Sequence, residues 1–295
     1  MKIGIVVLNW NGLADTRECL ESLKQINYDD FFVTVIDNGS DNYEAQKIKD
    51  DYGKFAEIIS LPDNLGYAKG NNLGIQQALK QGADAVLLLN NDVTTVEKDF
   101  LGHLAKKLMV SGIGIVGPKI LYYHKKDRVW FGGGDFHWWT GLVFHRGEGE
   151  LDNPKYGNEK KATFITGCSM LVKREVFEKV GILDEEYPLY WEDADFCYRT
   201  IEKGFDLWYV PQSKIWHKVS QSVGEGSPKR TYFATRSRFI FMKKHLSKFQ
   251  WIIFSIIFTF YKIPIKIFRS IINGNITNLN SFFKGIIDGL KYKIH

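Results

Sequence analysis

Two stretches of this sequence carry residue types and spacings suited to chemistry: Asp84 to Val93, which contains Asn90-Asn91-Asp92, and Tyr187 to Arg199, which contains Trp191-Glu192-Asp193. In the first, the apolar run Ala85 to Leu89 reads as a strand buried on both faces and stops abruptly at three polar residues. A carboxylate delivered there, at the rim of a cleft, can hold a hard divalent cation that also grips a ligand's phosphates. Asn and Asp also build plain β-turns, so this stretch alone leaves both readings open. In the second, acidic residues in a first helical turn are favoured by the macrodipole whatever the function. Glu192 and Asp195 share a face and Arg199 lies four beyond Asp195, which makes a helix salt-bridge row. Asp193 points about 100° away from Glu192. It is left to face a cleft beside Trp191, where a carboxylate suits a general base that takes a proton from an attacking hydroxyl.

The elements that must position these residues follow from the pattern around them. Lys2 to Leu8 is a strand ending in Asn9-Trp10-Asn11-Gly12, and Leu13, Thr16, Leu20 and Leu23 form the buried stripe of the next helix. Phe31 to Ile36 is a strand ending in Asp37-Asn38-Gly39-Ser40. After a third strand, Glu57 to Leu61, the stretch Asn64 to Asn72 leads into a helix through Ile75 and Leu79. Strand and helix alternating at this spacing predict right-handed βαβ units and a parallel sheet. Four polar strand ends then share one edge, where ligands of open α/β sheets bind. Asn, Asp and small residues there can meet a base and ribose, and glycines let the backbone approach a diphosphate. Neither Gly-x-Gly-x-x-Gly nor Gly-x-x-x-x-Gly-Lys-Ser/Thr occurs, which disfavours a dinucleotide or P-loop fold.

Further on, Phe100, Leu101, Leu104 and Leu108 mark a helix and Ile113 to Val116 a strand. Residues 128–147, dense in aromatics and glycine, read as a hairpin or long loop bordering the cleft. Thr166-Gly167-Cys168-Ser169 is a tight bend before a strand, and Gly181 ends the helix Glu175 to Val180. His217, at a strand end, is either structural or a ligand. The Gly- and Ser-rich stretch Ser220 to Pro228 reads as a mobile loop able to close over a bound donor.

A chain of 295 residues, 44% apolar and 15% aromatic, can build a substantial core, which excludes disorder. Three scattered cysteines form no Cys-x-x-Cys pair and fit a reducing compartment, and no secretory leader pattern stands at the start, so a cytosolic face is expected. The net charge of +5 is uneven: from Lys243 onward nine basic residues stand against Asp288 alone. A near-neutral body with a basic tail suggests a body that does chemistry and a tail that meets an anionic surface. Ser255, Thr259, Lys262, Lys266 and Arg269 step by four and three, drawing one polar stripe along a helix otherwise apolar. That predicts a helix lying in a membrane interface with its cations toward anionic head groups. The run Trp251 to Tyr261 is too short to span a bilayer, and Pro264 is expected to kink the helix. A core-packing or dimerising helix is the other reading. Nucleic acid is disfavoured because large aliphatics separate the charges.

Taken together, these residues resemble family 2 glycosyltransferases, in the branch that includes rhamnosyl- and galactofuranosyltransferases. The likeness runs through Val7 to Gly12, Asp37 to Ser40, Asn64 to Asn72, Leu89 to Asp92, Thr166-Gly167 and Trp191 to Asp193, and covers about residues 1–240. It implies a GT-A fold, α/β with a mostly parallel sheet, in which 1–95 bind the nucleotide and 96–240 the acceptor, followed by the helical tail 241–295. It implies an inverting, metal-dependent transferase with a nucleotide-diphosphate-sugar donor. By position, Asp37 would read the base; Asn9, Asn11, Asn38, Asn64, Gly70, Asn71, Asn90 and Asn91 would line the donor pocket; and Thr166, Gly167, Trp191 and Glu192 would meet the acceptor. Asp92 would bind Mg²⁺ or Mn²⁺, His217 would complete that site, and Asp193 would be the catalytic base. Asn90 departs from the family's pattern, standing where a first carboxylate is usual. That predicts weak metal binding without nucleotide. The expected reaction moves a sugar, first rhamnose from dTDP-rhamnose and next one from a UDP-sugar, onto a lipid-linked or polysaccharide acceptor at the inner face of the cell membrane. A membrane-bound nucleotide-sugar scaffold without turnover and a sugar nucleotidyltransferase are the rivals, and a homodimer is compatible with the chain.

Overall fold

The structure is a computed structural model that describes residues 1–95, 97–187, 189–219, 227–272 and 276–293. Its first half alternates as the sequence predicts: β1 (Ile3–Asn9), α1 (Leu13–Leu23), β2 (Phe31–Asp37), α2 (Glu44–Tyr52), β3 (Ala56–Ser60), α3 (Tyr67–Lys80) and β4 (Ala85–Asn90). These strands pair in parallel in the order β3-β2-β1-β4, and the central ones are aliphatic runs with helices covering them. Register sets Asn9 opposite Asp37 and Leu8 opposite Asn90, so the polar strand ends emerge together on one edge.

The second half adds β5 (Val93–Thr95), α4 (Phe100–Leu108), β6 (Ile113–Tyr122), β7 (Val129–Phe131), β8 (Gly134–His137), β9 (Leu142–His145), β10 (Lys160–Ala162), β11 (Ser169–Lys173), α5 (Arg174–Val180), α6 (Glu192–Glu202) and β12 (Asp206–His217). β11 inserts antiparallel between β4 and β6, and β12 runs parallel to β6, completing a ten-stranded sheet among the described residues. β8 and β9 form a separate hairpin within the aromatic stretch. Residues 207–217 make one strand, with the register broken between Val210 and Lys214. Pro211 lies in that gap and has no N–H to give the ladder. Most of the expected mobile loop, 220–226, lies outside the described residues; Ser227 caps the helix that follows through Arg230 N.

That helix, α7 (Pro228–His245), crosses residue 240 and is followed by α8 (Lys248–Ile257), a π-helical turn (Phe258–Lys262), α9 (Ile263–Ile272) and α10 (Ile276–Lys291). Helices α8 and α9 join into one 25-residue helix, Lys248–Ile272, long and apolar enough to cross a membrane by length and composition. The helix therefore runs on through Pro264, and its apolar stretch extends beyond Trp251 to Tyr261. Ile263 N bonds Phe258 O, and this wider turn precedes the proline, absorbing the missing N–H without ending the helix. Phe254 and Phe258 stack on Phe239 of α7, and Phe258 also on Phe282 of α10. This packing fixes the helix's rotation. Lys262 and Lys266 are half-buried, with Lys266 Nζ 5.9 Å from the Phe282 ring, while Phe249, Phe260, Phe268 and Ile271 stand exposed. The lysines of the polar stripe thus turn toward the body, not outward. Helix α10 lies against α7 through Gly285 and Gly289, whose added Cβ atoms would stand 2.7 Å from Tyr232 O and 2.6 Å from Phe239 Cβ.

Candidate active site

The first cluster is built on Asn9, wholly buried at the end of β1. Its Nδ2 donates to Asp37 Oδ1 (2.7 Å), Ser40 Oγ (3.1 Å) and Glu44 Oε2 (3.1 Å), while its Oδ1 accepts from Thr16 Oγ1 (2.7 Å) and Asn91 Nδ2 (3.3 Å). One amide therefore ties β1, β2, α1, α2 and the end of β4 together. Asn91 adds a bond to Thr16 Oγ1 at 3.0 Å. Asn38 is likewise engaged: Nδ2 donates to Asn64 Oδ1 and Gly66 O, and Oδ1 accepts from Leu65 N. Asn71 donates to Tyr67 O, and Asn11 exchanges bonds with Asp41. Gly39, at φ +70, makes the turn beside them; a Cβ there would stand 2.4 Å from the Asp63 carbonyl carbon. Gly70 brings α3 onto β1, a Cβ there falling 2.6 Å from Leu8 Cδ1. Asp37, 2% exposed, borders a cavity of about 590 Å³ that Ser40, Tyr43, Glu44, Ile58 and Ser60 also line. This cavity does not reach Asp92 or Asp193, so it bears on the nucleoside end of the edge alone.

The second cluster is Asp92 and His217. β5 pairs antiparallel with the end of β12, Val93 opposite His217, and Lys218 N donates to Asp92 O at 3.0 Å. Lys218 Nζ is in turn held by Asp15 and Glu18 of α1, which fixes that strand end. Asp92 Oδ1 lies 3.2 Å from His217 Nε2, yet this buried oxygen makes no hydrogen bond. The short separation without a bond sets the two atoms side by side, off the N–H···O line. Trp130 packs edge-on to the His217 ring at 4.4 Å. Behind it His145, desolvated among Trp130, Phe131 and Phe164, is pushed down to about 4 and stays neutral at neutral pH. An oxygen and an imidazole nitrogen so arranged fit a Mg²⁺ or Mn²⁺ ion. Among the described residues no group of three or more His, Cys, Asp or Glu could hold a metal, so the protein would supply two ligands and leave room for phosphate oxygens. The Asn90 amide beside them makes no side-chain hydrogen bond to a described residue.

The third cluster surrounds Asp193. Tyr190 (φ +63) and Trp191 (φ +78) are successive left-handed residues before α6, a costly conformation for non-glycine residues. It seats Trp191 among Phe136, Phe241 and Arg238 and starts α6 against the bend at Gly167. Asp193 Oδ2 accepts from Gly167 N (2.9 Å) and Oδ1 from Ala194 N (2.8 Å). Tyr67 Oη donates to Gly167 O at 2.7 Å, joining α3 to the same bend. Thr166 is buried, and its hydroxyl accepts from Cys168 N. Burial raises both carboxyls of the pair; Glu192 goes well above the usual range, since its charge would also meet that of Asp193 and its Oε2 has no partner. Asp193 is raised less, because backbone N–H groups stabilise its anion. The two neighbouring carboxyls thus differ in acidity, and desolvation makes the Asp193 carboxylate a stronger base than an ordinary aspartate. The expected Asp195–Arg199 pair is present at 2.6 Å. Burial works to raise Asp195, but the His245 hydrogen bond and the Arg199 charge outweigh it and hold the carboxyl low.

The structure thus brings Asp37, Asn90, Asp92, His217 and Asp193 to one side of the sheet with atoms available to a ligand. It engages the side chains of Asn9, Asn38, Asn91, Asn71 and Thr166 in holding loops. Ser40, Glu44, Tyr67 and Trp130 are structural members of the site that sequence reasoning missed. Tyr67 had a sequence trace, standing within the Asn64 to Asn72 stretch.

Residues 4–181 match the model of glycosyl transferase family 2, and the chain belongs to that family. It is a glycosyltransferase of the GT-A fold. It is 24% identical over 271 residues to the dTDP-rhamnosyl transferase RfbF of Shigella flexneri, covering 86% of either chain. It is 25% identical over 230 residues to the N-acetylglucosaminyl-diphospho-decaprenol L-rhamnosyltransferase of Mycobacterium tuberculosis, covering 71% of this chain and 74% of that one. The crystal structure of GalNAc-T7 with UDP, GalNAc and Mn²⁺ superposes with a TM-score of 0.68 at 14% identity, over 85% of this chain and about half (49%) of that one.

Proposed function

We propose that this glycosyltransferase moves rhamnose from dTDP-rhamnose, with inversion, onto a hydroxyl of a lipid-diphosphate-linked or polysaccharide acceptor in cell-surface glycan synthesis, working at the inner face of the membrane. The names of the rhamnosyl relatives support the donor, and a UDP-sugar is the next candidate. The observation that carries the reading is Asp193, a carboxylate raised by burial yet kept in place by Gly167 N, on the side of the sheet where Asp92 and His217 also converge. Asp193 takes the proton as the acceptor oxygen attacks the anomeric carbon. The bond from that carbon to the donor's phosphate oxygen breaks, and a nucleoside diphosphate leaves. Asp92 and His217 would hold a divalent cation, which would stabilise the charge on that leaving group. Single displacement inverts the anomeric centre without a covalent intermediate.

The test is nucleoside-diphosphate release from dTDP-, UDP- and GDP-sugars, with Mn²⁺ or chelator and membrane lipid extract, for wild type and Asp92→Ala. Metal-dependent release from dTDP-rhamnose, lost in the variant, is expected. Release of pyrophosphate, or turnover indifferent to chelator, would sink the reading.

A further inference from the structure

Arg238 projects from α7 onto the catalytic side of the fold, its guanidinium carbon 5.6 Å from the Trp191 ring centre. Its Nε is buried without a hydrogen bond, and no ion pair forms between Arg238 and any described residue. Burial alone pushes it down to about 10. An unmatched, desolvated cation is costly unless an anion completes it. Lys262, half-buried where the π-helical turn meets α9, lies within range of the charges of Arg238 and Arg269; burial first, then those two charges, lower its pKa. Among the described residues no carboxylate pairs with Lys262 or Arg269 either. The acids that bond to α7 residues among the described residues are already taken: Asp195 by Arg199 and His245, Asp184 and Glu186 by Lys244, and Asp288 by Tyr232.

We propose that Arg238 and Lys262, with Arg269 behind them, form the subsite for the diphosphate of a lipid-linked acceptor, whose chain leaves along the exposed apolar side of Lys248–Ile272. This rests on the transferase reading above and specifies its acceptor. Three features select this occupant. Arg238 borders Trp191, next to the base Asp193, and none of these cations belongs to the Asp92–His217 pair assigned to the donor. Lys262 and Arg269 sit on the one helix among the described residues long and apolar enough to cross a membrane, which suits an anion carried on a hydrocarbon, and α7 with Arg238 packs against that helix. Arg238 and Lys262 are half-buried, so an anionic lipid surface alone would not reach them as it would an outward stripe.

The experiment uses the full chain and vesicles of neutral phosphatidylcholine, doped either with undecaprenyl diphosphate or with phosphatidylglycerol at equal charge. Wild type should prefer the diphosphate vesicles, and Arg238→Gln and Lys262→Gln should each lose about tenfold or more of that preference, as for a charged hydrogen bond left unmade. Arg238→Lys should retain part of it. In transfer assays the KM for a lipid-diphosphate acceptor should rise by a similar factor in these variants, and the KM for the donor should not. Equal binding to both anionic vesicles would overturn the proposal, as would a rise in donor KM, which would assign the cations to the donor's phosphates. Lys262→Gln serves if Arg238 variants fold poorly. Arg238-dependent diphosphate binding with no transfer to any acceptor would defeat the transferase reading and leave the subsite standing. Transfer indifferent to both substitutions would do the reverse.

Discussion

Asp193 and Glu192 are adjacent carboxyls with different environments, and their difference predicts different phenotypes. Asp193 must be ionised to accept a proton, and its pKa lies above the ordinary aspartate value. Activity should therefore fall as pH drops, with a kcat/KM limb centred above that value; a limb at or below it would contradict the assignment. Asp193→Asn should lower kcat by about 10²–10⁴-fold with donor affinity nearly unchanged, read by steady-state kinetics and nucleotide titration. Glu192 binds its proton in the folded state at a pH where the unfolded chain has lost it. Its contribution is therefore present at low pH and declines as pH rises from its unfolded pKa toward the raised folded one, at about 1.4 kcal/mol per unit. Glu192→Gln should thus gain on wild type in Tm as pH is raised from 5 to 8. At the metal pair, only two protein ligands face each other, so Mn²⁺ titration should show weak binding that nucleoside diphosphate tightens. Tight Mn²⁺ binding to the nucleotide-free protein would contradict that ligand count.

At the scale of elements, the site depends on pairings that join distant segments. His217 reaches Asp92 only because β5 pairs with the far end of β12. The polar strand ends were legible in the sequence, since an apolar run that stops at Asn, Asp and Gly is a local pattern. The place of Asp193 in the first turn of α6 was legible for the same reason, its helix phase being set within one turn. The role of Asn9 was not, because five bonds to four other segments leave no trace at any one spacing. Nor was the antiparallel insertion of β11, which follows from the route of the whole sheet. In the tail, the continuation of the helix past Pro264 follows from the wider turn before it, and the half-burial of Lys262 and Lys266 from aromatic packing on α7 and α10, neither of which a local pattern shows. That packing is testable: Gly285→Val should destabilise the fold by about 1–3 kcal/mol in chemical denaturation, because α7 backbone already occupies the space.

For the molecule as a whole, one helix, α7, bears Arg238 beside Trp191 and carries α10 and the long apolar helix on its other sides. The exposed Phe249, Ile252, Phe260, Phe268 and Ile271 then have a practical corollary for handling the protein. In plain aqueous buffer this hydrocarbon strip has no covering and will recruit another copy's strip. Particle sizes measured that way should collapse when a mild detergent or lipid nanodisc is supplied, so the stoichiometry that matters is the one recorded in the amphiphile.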